Sequence, residues 1–276
     1  MTGRHSITGA ALVVGIAGQP VSHSLSPIIH NAWLSAAGVD GAYVPFAPKD
    51  AAGFDALIAA GRAGLVAGFN VTAPFKEQAF ACADTVSEAA KSVSSANILI
   101  FKDGAIHADS SDGIGVLYAL QEQAPQLDLK GAKVVMLGAG GAARAGAGAL
   151  IAAGAQIGIL NRTPERAMAL AADLGPQVTV VDSTALASAD LVINALSIRP
   201  EIDLAALKPS AVVMDMTYRP VVTPFLQAAK DRGLTTVDGL AMLIGQAAPF
   251  YRALFNQDPP QMDLRQVLMA HLGDLA

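Results

Sequence analysis

The sequence has few charges and almost no cysteine. Asp, Glu, Lys and Arg make up 15% of the 276 residues, and the formal net charge is −5. A broad surface for nucleic acid or another polyanion is therefore not expected. The one cysteine, Cys82, excludes an internal disulfide, and the five histidines lack the spacing of metal ligands. We expect no metal site.

Apolar runs long enough to cross a membrane are also missing. Residues 7–17 form a shorter apolar run after Arg4, which could be mistaken for a signal peptide. The run contains Gly9 and Gly15 and leads straight into "GQPVSHSLSP", so we interpret it as a buried strand. We expect a cytoplasmic protein without a membrane partner.

Hydrophobic residues are abundant, at 53% of the chain, and Ala and Gly are frequent. This composition suits an α/β fold whose sheets are covered on both faces. Apolar segments of strand length alternate with helical patterns; they include "ALVVGIAG", "AYVPFA", "GLVAGFNV", "ANILIF", "AIHAD", "KVVML", "QIGILN", "VTVVD", "DLVINAL" and "AVVMDM". The alternation predicts mostly parallel sheets, with a hairpin at Asp103-Gly104 and a division into two α/β units near Asp112.

A Gly-rich turn predicts a dinucleotide site. The stretch "GAGGAA", Gly138 to Ala143, follows the strand "KVVML" and opens a helical pattern, as in the motif G-x-G-x-x-G/A. Gly138 would permit the tight turn, Gly140 would let a pyrophosphate approach the backbone, and Ala143 would allow close helix–sheet packing. The phosphates would meet free N–H groups at the helix N-terminus. The predicted cofactor-binding residues of this turn are Gly138, Ala139, Gly140, Gly141 and Ala142.

The residues after the next predicted strand favour NADP over NAD. An NAD site usually carries Asp or Glu about 20 residues after the Gly-rich turn. This sequence instead has "NRTPER", with Asn161, Arg162, Thr163 and, one helical turn on, Arg166. Guanidinium groups bind a 2′-phosphate that a carboxylate would repel. Alternatively, Thr163 caps a helix that starts at Pro164, and the arginines are merely solvated. We predict NADP as the cofactor, with NAD as the alternative.

Four polar clusters interrupt the apolar background. They contain Ser24 with Ser26, Thr72 with Lys76, Asn97, and Ser111 with Asp112. Each cluster falls at the end of a predicted strand or the start of a helix, where open α/β sheets bind ligands. Taken singly, the serines and Asp112 could cap helices and Thr72 could close a turn. Their grouping at one sheet edge favours a binding site.

Together these motifs resemble the shikimate dehydrogenase family over nearly the whole chain. The matching stretches are "GQPVSHSLSPIIHNA", "GFNVTAPFKE", "DGIG", "LGAGGAARA", "NRTPERA", "MDMTYRPVVTPFLQAA" and "DGLAMLIGQAAPF". The resemblance implies two α/β domains that flank a cleft, with the C-terminal helices folded back onto the N-terminal domain. Residues 1–111 with 249–276 would form the substrate-binding domain, and residues 112–248 a Rossmann-type NAD(P)-binding domain.

The resemblance also implies residue roles. Lys76 and Asp112 would be the catalytic pair, and Gly239 would contact the cofactor. The implied substrate-binding residues are Ser24 and Ser26 for the carboxylate, Tyr218 on the same side, and Thr72, Asn97, Ser111 and Gln246. The substrate would be a small hydroxylated ring carboxylate, and the reaction a reversible NADP-dependent hydride transfer between shikimate and 3-dehydroshikimate in aromatic amino acid biosynthesis. The protein would be a monomer or homodimer.

A lysine suits this chemistry. Reduction of a ketone builds negative charge on oxygen, which a positioned ammonium group stabilises and protonates. In the oxidative direction the same amine accepts a proton. We expect a coupled pair in which Asp112 orients Lys76 and shares its proton.

The sequence departs from the family pattern near the substrate. Ser110 stands where the family has asparagine, Ile98 stands where it has threonine, and residues 194–200, "NALSIRP", replace "N-x-T-P-x-G-M". Loss of a hydrogen-bond partner can change discrimination by orders of magnitude. A dehydrogenase for quinate, an aminoshikimate or another ring acid is therefore an alternative. A non-catalytic sensor of dinucleotide and ring acid is another, which the retained Lys76 and Asp112 disfavour.

Overall fold

The computed structural model describes residues 7–196 and 198–273, so Ser197 of the altered 194–200 segment lies outside the described residues. The chain divides into two compact units. The first comprises Met1–Ser111 and Ala247–Ala276, and the second comprises Asp112–Gln246.

The described part of the first unit contains a mixed six-stranded sheet. Its strands are β1 (Leu12–Ala17), β2 (Gly41–Phe46), β3 (Gly68–Val71), β4 (Thr85–Val86), β5 (Ile98–Lys102) and β6 (Ala105–Asp109). They lie in the order β2-β1-β3-β5-β6-β4. β1 runs parallel to β2 and β3, whereas β5 runs antiparallel to β3 and β6. The helices between them are α1 (Ser26–Ala36), α2 (Ala51–Arg62), α3 (Lys76–Ala81) and α4 (Glu88–Val93).

Two local predictions in this unit can be compared with the structure. The hairpin is confirmed: Asp103 and Gly104, with φ of 51° and 78°, join β5 to β6 in the left-handed conformation that tight hairpins require. Of the buried strand predicted for residues 7–17, the strand begins at Leu12 and its burial at Val14. The residues before it form a turn in which Ala11 N–H donates to the Thr8 carbonyl.

Apolar side chains cover both faces of the first sheet. One cluster includes Phe54 of α2 with Phe69 and Phe101 of the sheet. The other includes Ile98 and Phe250. Burial on both faces explains why the strands read as nearly continuous apolar runs.

His30 offers a test of this packing. Its side chain is buried, with its ring stacked 4.3 Å from the ring of Tyr43 and in edge contact with Trp33 and Phe250. Burial lowers the pKa of His30 from 6.5 to about 3. The unfolded chain therefore takes up a proton below pH 6.5 that the folded state excludes. The contribution of neutral, buried His30 to the free energy of unfolding is fully present above pH 6.5 and is lost as the pH falls towards 3. At pH 5 the loss is about 2 kcal/mol.

We expect His30→Gln to lose about 2 kcal/mol less unfolding free energy between pH 7 and pH 5 than the wild type does. Urea unfolding at both pH values measures this difference. His107→Gln, which replaces an exposed histidine, is the control and should follow the wild type. Equal pH dependence in His30→Gln and wild type would show that His30 does not cause the acid sensitivity.

The described part of the second unit contains a six-stranded parallel sheet. Its strands are β7 (Lys133–Leu137), β8 (Gln156–Leu160), β9 (Val178–Val180), β10 (Leu191–Asn194), β11 (Val212–Asp215) and β12 (Thr235–Val237). The order is β12-β11-β10-β7-β8-β9. The strand order, not the strand direction, reverses between β7 and β10. Ligands of doubly wound sheets bind at the carboxyl ends of the strands at such a point.

The helices of the second unit complete this arrangement. They are α5 (Asp112–Gln123), α6 (Gly141–Ala152), α7 (Pro164–Leu174) and α8 (Pro224–Asp231). Two further helices are α9 (Gly239–Phe255), which contains the boundary between the units, and α10 (Leu264–Gly273) of the first unit. The predicted α/β fold class is confirmed.

Two expected absences concern the described residues alone. Within residues 7–196 and 198–273, no helix has the length and hydropathy needed to cross a membrane. The same residues include no group of three or more His, Cys, Asp or Glu side chains placed to hold a metal ion.

Candidate active site

The polar clusters of the first unit lie at one edge of its sheet. β5 is antiparallel to β3, and Asn70 pairs with Ile98, so Asn97 lies beside the carboxyl end of β3. Ile98 also pairs with Asp109 at the end of β6, and Ser111 follows at the same edge. Strand register thus brings together residues that are far apart in sequence.

Two loops at this edge are fastened to each other. Thr72 N–H donates to the Ala17 carbonyl at 2.9 Å, and Gln19 N–H donates to the Ala73 carbonyl at 3.0 Å. A Cβ added to Gly18 would lie 2.2 Å from the Thr72 Cγ2, so a side chain there would displace the Thr72 methyl group. The loop that carries the two serines therefore lies beside Thr72.

The serine pair combines capping with burial. The half-buried Ser24 accepts a hydrogen bond at Oγ from Ser26 N–H at 3.2 Å, which satisfies a free donor at the start of α1. The Ser26 side chain is buried and is hydrogen-bonded to the Tyr43 phenol instead. The capping alternative thus accounts for Ser24 but not for Ser26. Thr72 does close a turn, but through its backbone: the Thr72 carbonyl accepts from Phe75 N–H at 3.1 Å.

Lys76 is the first residue of α3 and is half-buried. Its carbonyl accepts a hydrogen bond from Ala96 N–H at 3.0 Å, one residue before Asn97. The residue before Lys76 is Phe75, which is buried and stacks on Phe54 with 4.9 Å between ring centroids. The backbone of Lys76 is therefore anchored both to the core and to the segment that carries Asn97.

Asn97 holds the residue that precedes Asp112. Ser111 N–H donates to the Asn97 Oδ1 at 2.8 Å, and the Asn97 Nδ2 donates to the Ser111 Oγ at 3.1 Å. Both residues are buried. Asp112, also buried, comes next as the first residue of α5 in the second unit. Lys76 belongs to the first unit, and its pairing with Asp112 stays a prediction.

Two residues that the sequence analysis did not single out join this site. The Tyr43 hydroxyl donates to the Asn70 Oδ1 at 2.8 Å, and the Asn70 Nδ2 donates to the Asn97 carbonyl at 3.2 Å. With the contacts above, these bonds form one polar chain, Ser26–Tyr43–Asn70–Asn97–Ser111. The signal in the sequence was Asn70, a polar residue within the strand "GFNV".

Two departures from the family pattern lie at buried positions. Ile98, where threonine is usual, is fully buried in the core cluster that contains Val14 and Phe250. It therefore contributes an apolar contact. Ser110 is buried, and its N–H donates to the Asp109 Oδ1 at 2.7 Å.

The Gly-rich turn of the second unit needs its first glycine. Gly138 has a φ of +107°, which side-chain-bearing residues rarely adopt. A Cβ at this position would also lie 2.9 Å from the Leu196 Cδ2. Gly138 therefore permits both the turn from β7 and the close approach of the loop after β10.

Open space lies in front of α6. Gly140 is the N-cap residue. Apart from chain neighbours and the adjoining backbone of α6, none of the described residues has an atom within 4 Å of a Cβ added to Gly140 or Gly141. Ala139 and Ala142 are half-buried in the same turn, and Ala143 packs into the core. A helix start that has no capping side chain leaves backbone N–H groups for a phosphate.

A cleft of about 710 Å³ lies at the carboxyl ends of β7, β8 and β9. We call it the β8 cleft. Its lining includes four residues predicted to bind the cofactor: Asn161, Arg162, Thr163 and Arg166. The Asn161 Nδ2 donates to the Thr163 carbonyl at 2.8 Å, which fixes the turn between β8 and α7. Thr163 is the N-cap residue of α7, as the alternative proposed, but its side chain makes no capping hydrogen bond within the described part of the chain.

A buried network fixes the loops after β10 and β11. The Asp215 Oδ1 accepts from the Asn194 Nδ2 and from Thr217 N–H, each at 3.0 Å, and its Oδ2 accepts from the Thr223 Oγ1 at 2.7 Å. The Asn194 Oδ1 in turn accepts from Leu196 N–H at 3.1 Å. The side chains of Asn194, Asp215 and Thr223 are all buried. The sequence analysis did not single out this network.

The remaining predicted residues also lie in the second unit. Tyr218 is half-buried in the loop after β11, next to the anchored Thr217. Gly239 begins α9, and a Cβ there would lie 2.5 Å from the Met216 carbonyl oxygen. Gln246 is half-buried on α9; a Cβ added to Gly115 of α5 would lie 3.0 Å from its Cβ. The helix that starts with Asp112 thus packs closely against the one that carries Gln246.

Comparison with known proteins assigns the family. The family model "Shikimate dehydrogenase substrate binding domain" matches residues 16–99, and the model "Shikimate / quinate 5-dehydrogenase" matches residues 119–241. A shikimate dehydrogenase (NADP(+)) of Caulobacter vibrioides is 48% identical over 98% of this chain and 99% of its own length.

Solved structures agree with this assignment. Shikimate dehydrogenase of Aquifex aeolicus superposes with a TM-score of 0.86 and 32% identity over 92% of this chain and 96% of its own. Shikimate 5-dehydrogenase of Thermus thermophilus, solved with NADP(H) and shikimate, gives a TM-score of 0.82 and 34% identity over 90% of this chain and 95% of its own. The chain therefore belongs to the shikimate dehydrogenase family.

Proposed function

We propose that this protein catalyses reversible hydride transfer between shikimate and 3-dehydroshikimate, with NADP as the cofactor. The observation that carries the proposal is the 48% identity, over 98% of the chain, to a shikimate dehydrogenase (NADP(+)). The first unit would bind the ring acid and the second would bind the dinucleotide.

The second unit fits NADP. The pyrophosphate would occupy the open space at Gly140 and Gly141, against the N-terminus of α6. Arg162 and Arg166 in the β8 cleft would bind the 2′-phosphate, and Asn161 stands where NAD enzymes usually carry an acid. Ala139, Ala142, Thr163 and Gly239 would complete the cofactor contacts. NADP(H), when bound, accepts or supplies the hydride.

Lys76 of the first unit and Asp112 of the second would carry the proton chemistry. In the reductive direction negative charge grows on the substrate's carbonyl oxygen, and the Lys76 ammonium stabilises that charge and donates a proton to it. In the oxidative direction the Lys76 amine takes the proton from the ring hydroxyl. Asp112 orients the amine and shares its proton. The hydrogen bonds between Asn97 and Ser111 fix the residue that precedes Asp112.

The polar edge of the first sheet would orient the ring. Ser24 and Ser26 bind the carboxylate, with Tyr218 on the same side. Thr72, Asn97, Ser111 and Gln246 would contact the hydroxyl groups. A cytoplasmic location and a monomeric or homodimeric state stay predictions.

Turnover by the purified protein tests this proposal. Shikimate, quinate and related hydroxy acids are offered with NADP⁺ and NAD⁺ separately, and absorbance of the reduced nicotinamide is recorded. We expect the highest kcat/KM for shikimate with NADP⁺. A preference for quinate or for NAD⁺ would overturn the proposed substrate or cofactor. Binding of both ligands with no turnover of any acid would indicate the non-catalytic sensor.

A further inference from the structure

The β8 cleft contains a third arginine that the sequence analysis did not assign. Arg199 lies in the segment after β10 and lines the cleft together with Arg162 and Arg166. All three residues are exposed, and all three line the cleft. They come from two different loops and the first turn of α7, and the cleft brings them together.

The backbone next to Arg199 is held by buried groups. The Asn194 Nδ2 donates to the Ile198 carbonyl at 3.3 Å, and Pro200 on the other side is buried. Asn194 is itself fixed by Asp215, as described above. Residues 198–200 are thus attached to the core of the second unit while the Arg199 side chain lies in the cleft.

The charges of the cleft favour a doubly charged anion. Its lining carries three guanidinium groups against two carboxylates, Asp182 and Glu201. The Asp182 carboxylate is hydrogen-bonded within its own loop, because its Oδ1 accepts from Thr184 N–H at 2.9 Å. A planar guanidinium binds phosphate oxygens through two parallel N–H groups, and several can share one phosphate.

We propose that Arg199 determines cofactor specificity by binding the 2′-phosphate of NADP together with Arg162 and Arg166. The inference rests on the proposed function, because it assumes that the β8 cleft receives the 2′-phosphate end of the cofactor. It gives a role to the altered 194–200 segment: the loop contributes a cation to the cofactor site.

Direct binding tests the inference without turnover. Isothermal titration calorimetry with the full chain, in the absence of ring acid, gives Kd for NADP⁺ and NAD⁺. Arg199→Ala should raise the Kd for NADP⁺ about tenfold, as expected for one charge-assisted contact, and leave the Kd for NAD⁺ within about twofold. Arg199→Lys should retain part of the affinity, because the charge remains and the fork is lost.

Two controls separate the possible failures. Arg232→Ala removes an exposed arginine at the end of α8, outside the lining of the cleft, and should leave both Kd values unchanged. Arg162→Ala tests the cleft itself. If the wild type prefers NADP⁺ and Arg162→Ala loses that preference but Arg199→Ala keeps it, the role of Arg199 is overturned and the proposed function stands.

Two further results would overturn the inference. Equal weakening of NADP⁺ and NAD⁺ by Arg199→Ala would show a general effect on the loop and overturn the inference. A wild type without preference for NADP⁺ would overturn the proposed cofactor and the inference together.

Discussion

Replacement of Lys76 by methionine is expected to lower kcat by about 10³-fold or more, because general acid–base catalysis by one side chain supplies about 10²–10⁴-fold and the ammonium also stabilises the oxyanion. Methionine keeps an unbranched apolar stem, so the half-buried start of α3 should remain packed. Steady-state kinetics with shikimate and NADP⁺ measures the loss. Calorimetry should show NADP⁺ affinity close to that of the wild type, since Lys76 belongs to the first unit.

Lys91→Met is the matched control. Lys91 is an exposed lysine in α4, paired with Glu88 of the same helix at 2.7 Å. An exposed ion pair of this kind contributes little to stability, so turnover and folding should match the wild type. A kcat for Lys76→Met within tenfold of the wild type would remove Lys76 from the mechanism.

Asp112→Asn should lower kcat by about 10²–10³-fold, as expected for loss of a group that orients and shares the proton of the catalytic base. The amide has nearly the shape of the carboxylate, so the buried start of α5 should be kept. Affinity for shikimate, measured by calorimetry, should change much less than kcat does. Such a split between binding and turnover indicates an interaction that acts mainly in the transition state.

Asp231→Asn removes an exposed carboxylate at the end of α8 and controls for the change of charge. Its kcat should match that of the wild type. Circular dichroism and thermal unfolding show whether Asp112→Asn is folded. Full turnover by a folded Asp112→Asn variant would contradict the proposed pair. Equal losses in shikimate affinity and in kcat/KM, with kcat unchanged, would assign Asp112 to substrate binding alone.

Local patterns explain why much of the fold could be predicted from the sequence. The Gly-rich turn at Gly138 and the hairpin at Asp103-Gly104 depend on backbone conformations that few residues adopt, so the residue types indicate them directly. The parallel sheet of the second unit follows from buried apolar strands at regular spacing. The strands β4, "TV", and β12, "TTV", did not stand out, because neither forms an apolar run of strand length in the sequence.

The polar networks could not be predicted in the same way. Tyr43 and Asn70 are 27 positions apart, and their hydrogen bond depends on strand register and on the rotamers of both side chains. In the sequence Tyr43 is one more apolar residue of a strand. Asn194 and Asp215 likewise stand at the ends of two strands, and only the pairing of β10 with β11 brings them into contact. Contacts of long range need the three-dimensional arrangement that the local pattern does not contain.

The polar chain from Ser26 to Ser111 also has a direction. The Asn97 backbone carbonyl can only accept a hydrogen bond. The Asn70 side-chain amide is therefore oriented with its nitrogen towards that carbonyl and its oxygen towards Tyr43. The Tyr43 hydroxyl therefore donates its one hydrogen bond to Asn70, and the Ser26 hydroxyl donates to the Tyr43 oxygen. The substrate carboxylate proposed to bind at the serine pair would compete for this proton, because charge-assisted hydrogen bonds are about twice as strong as neutral ones. On the proposed function, the Ser26 hydroxyl would turn from the Tyr43 oxygen to the carboxylate when the ring acid binds, and the Tyr43–Asn70–Asn97 hydrogen bonds would not need to change.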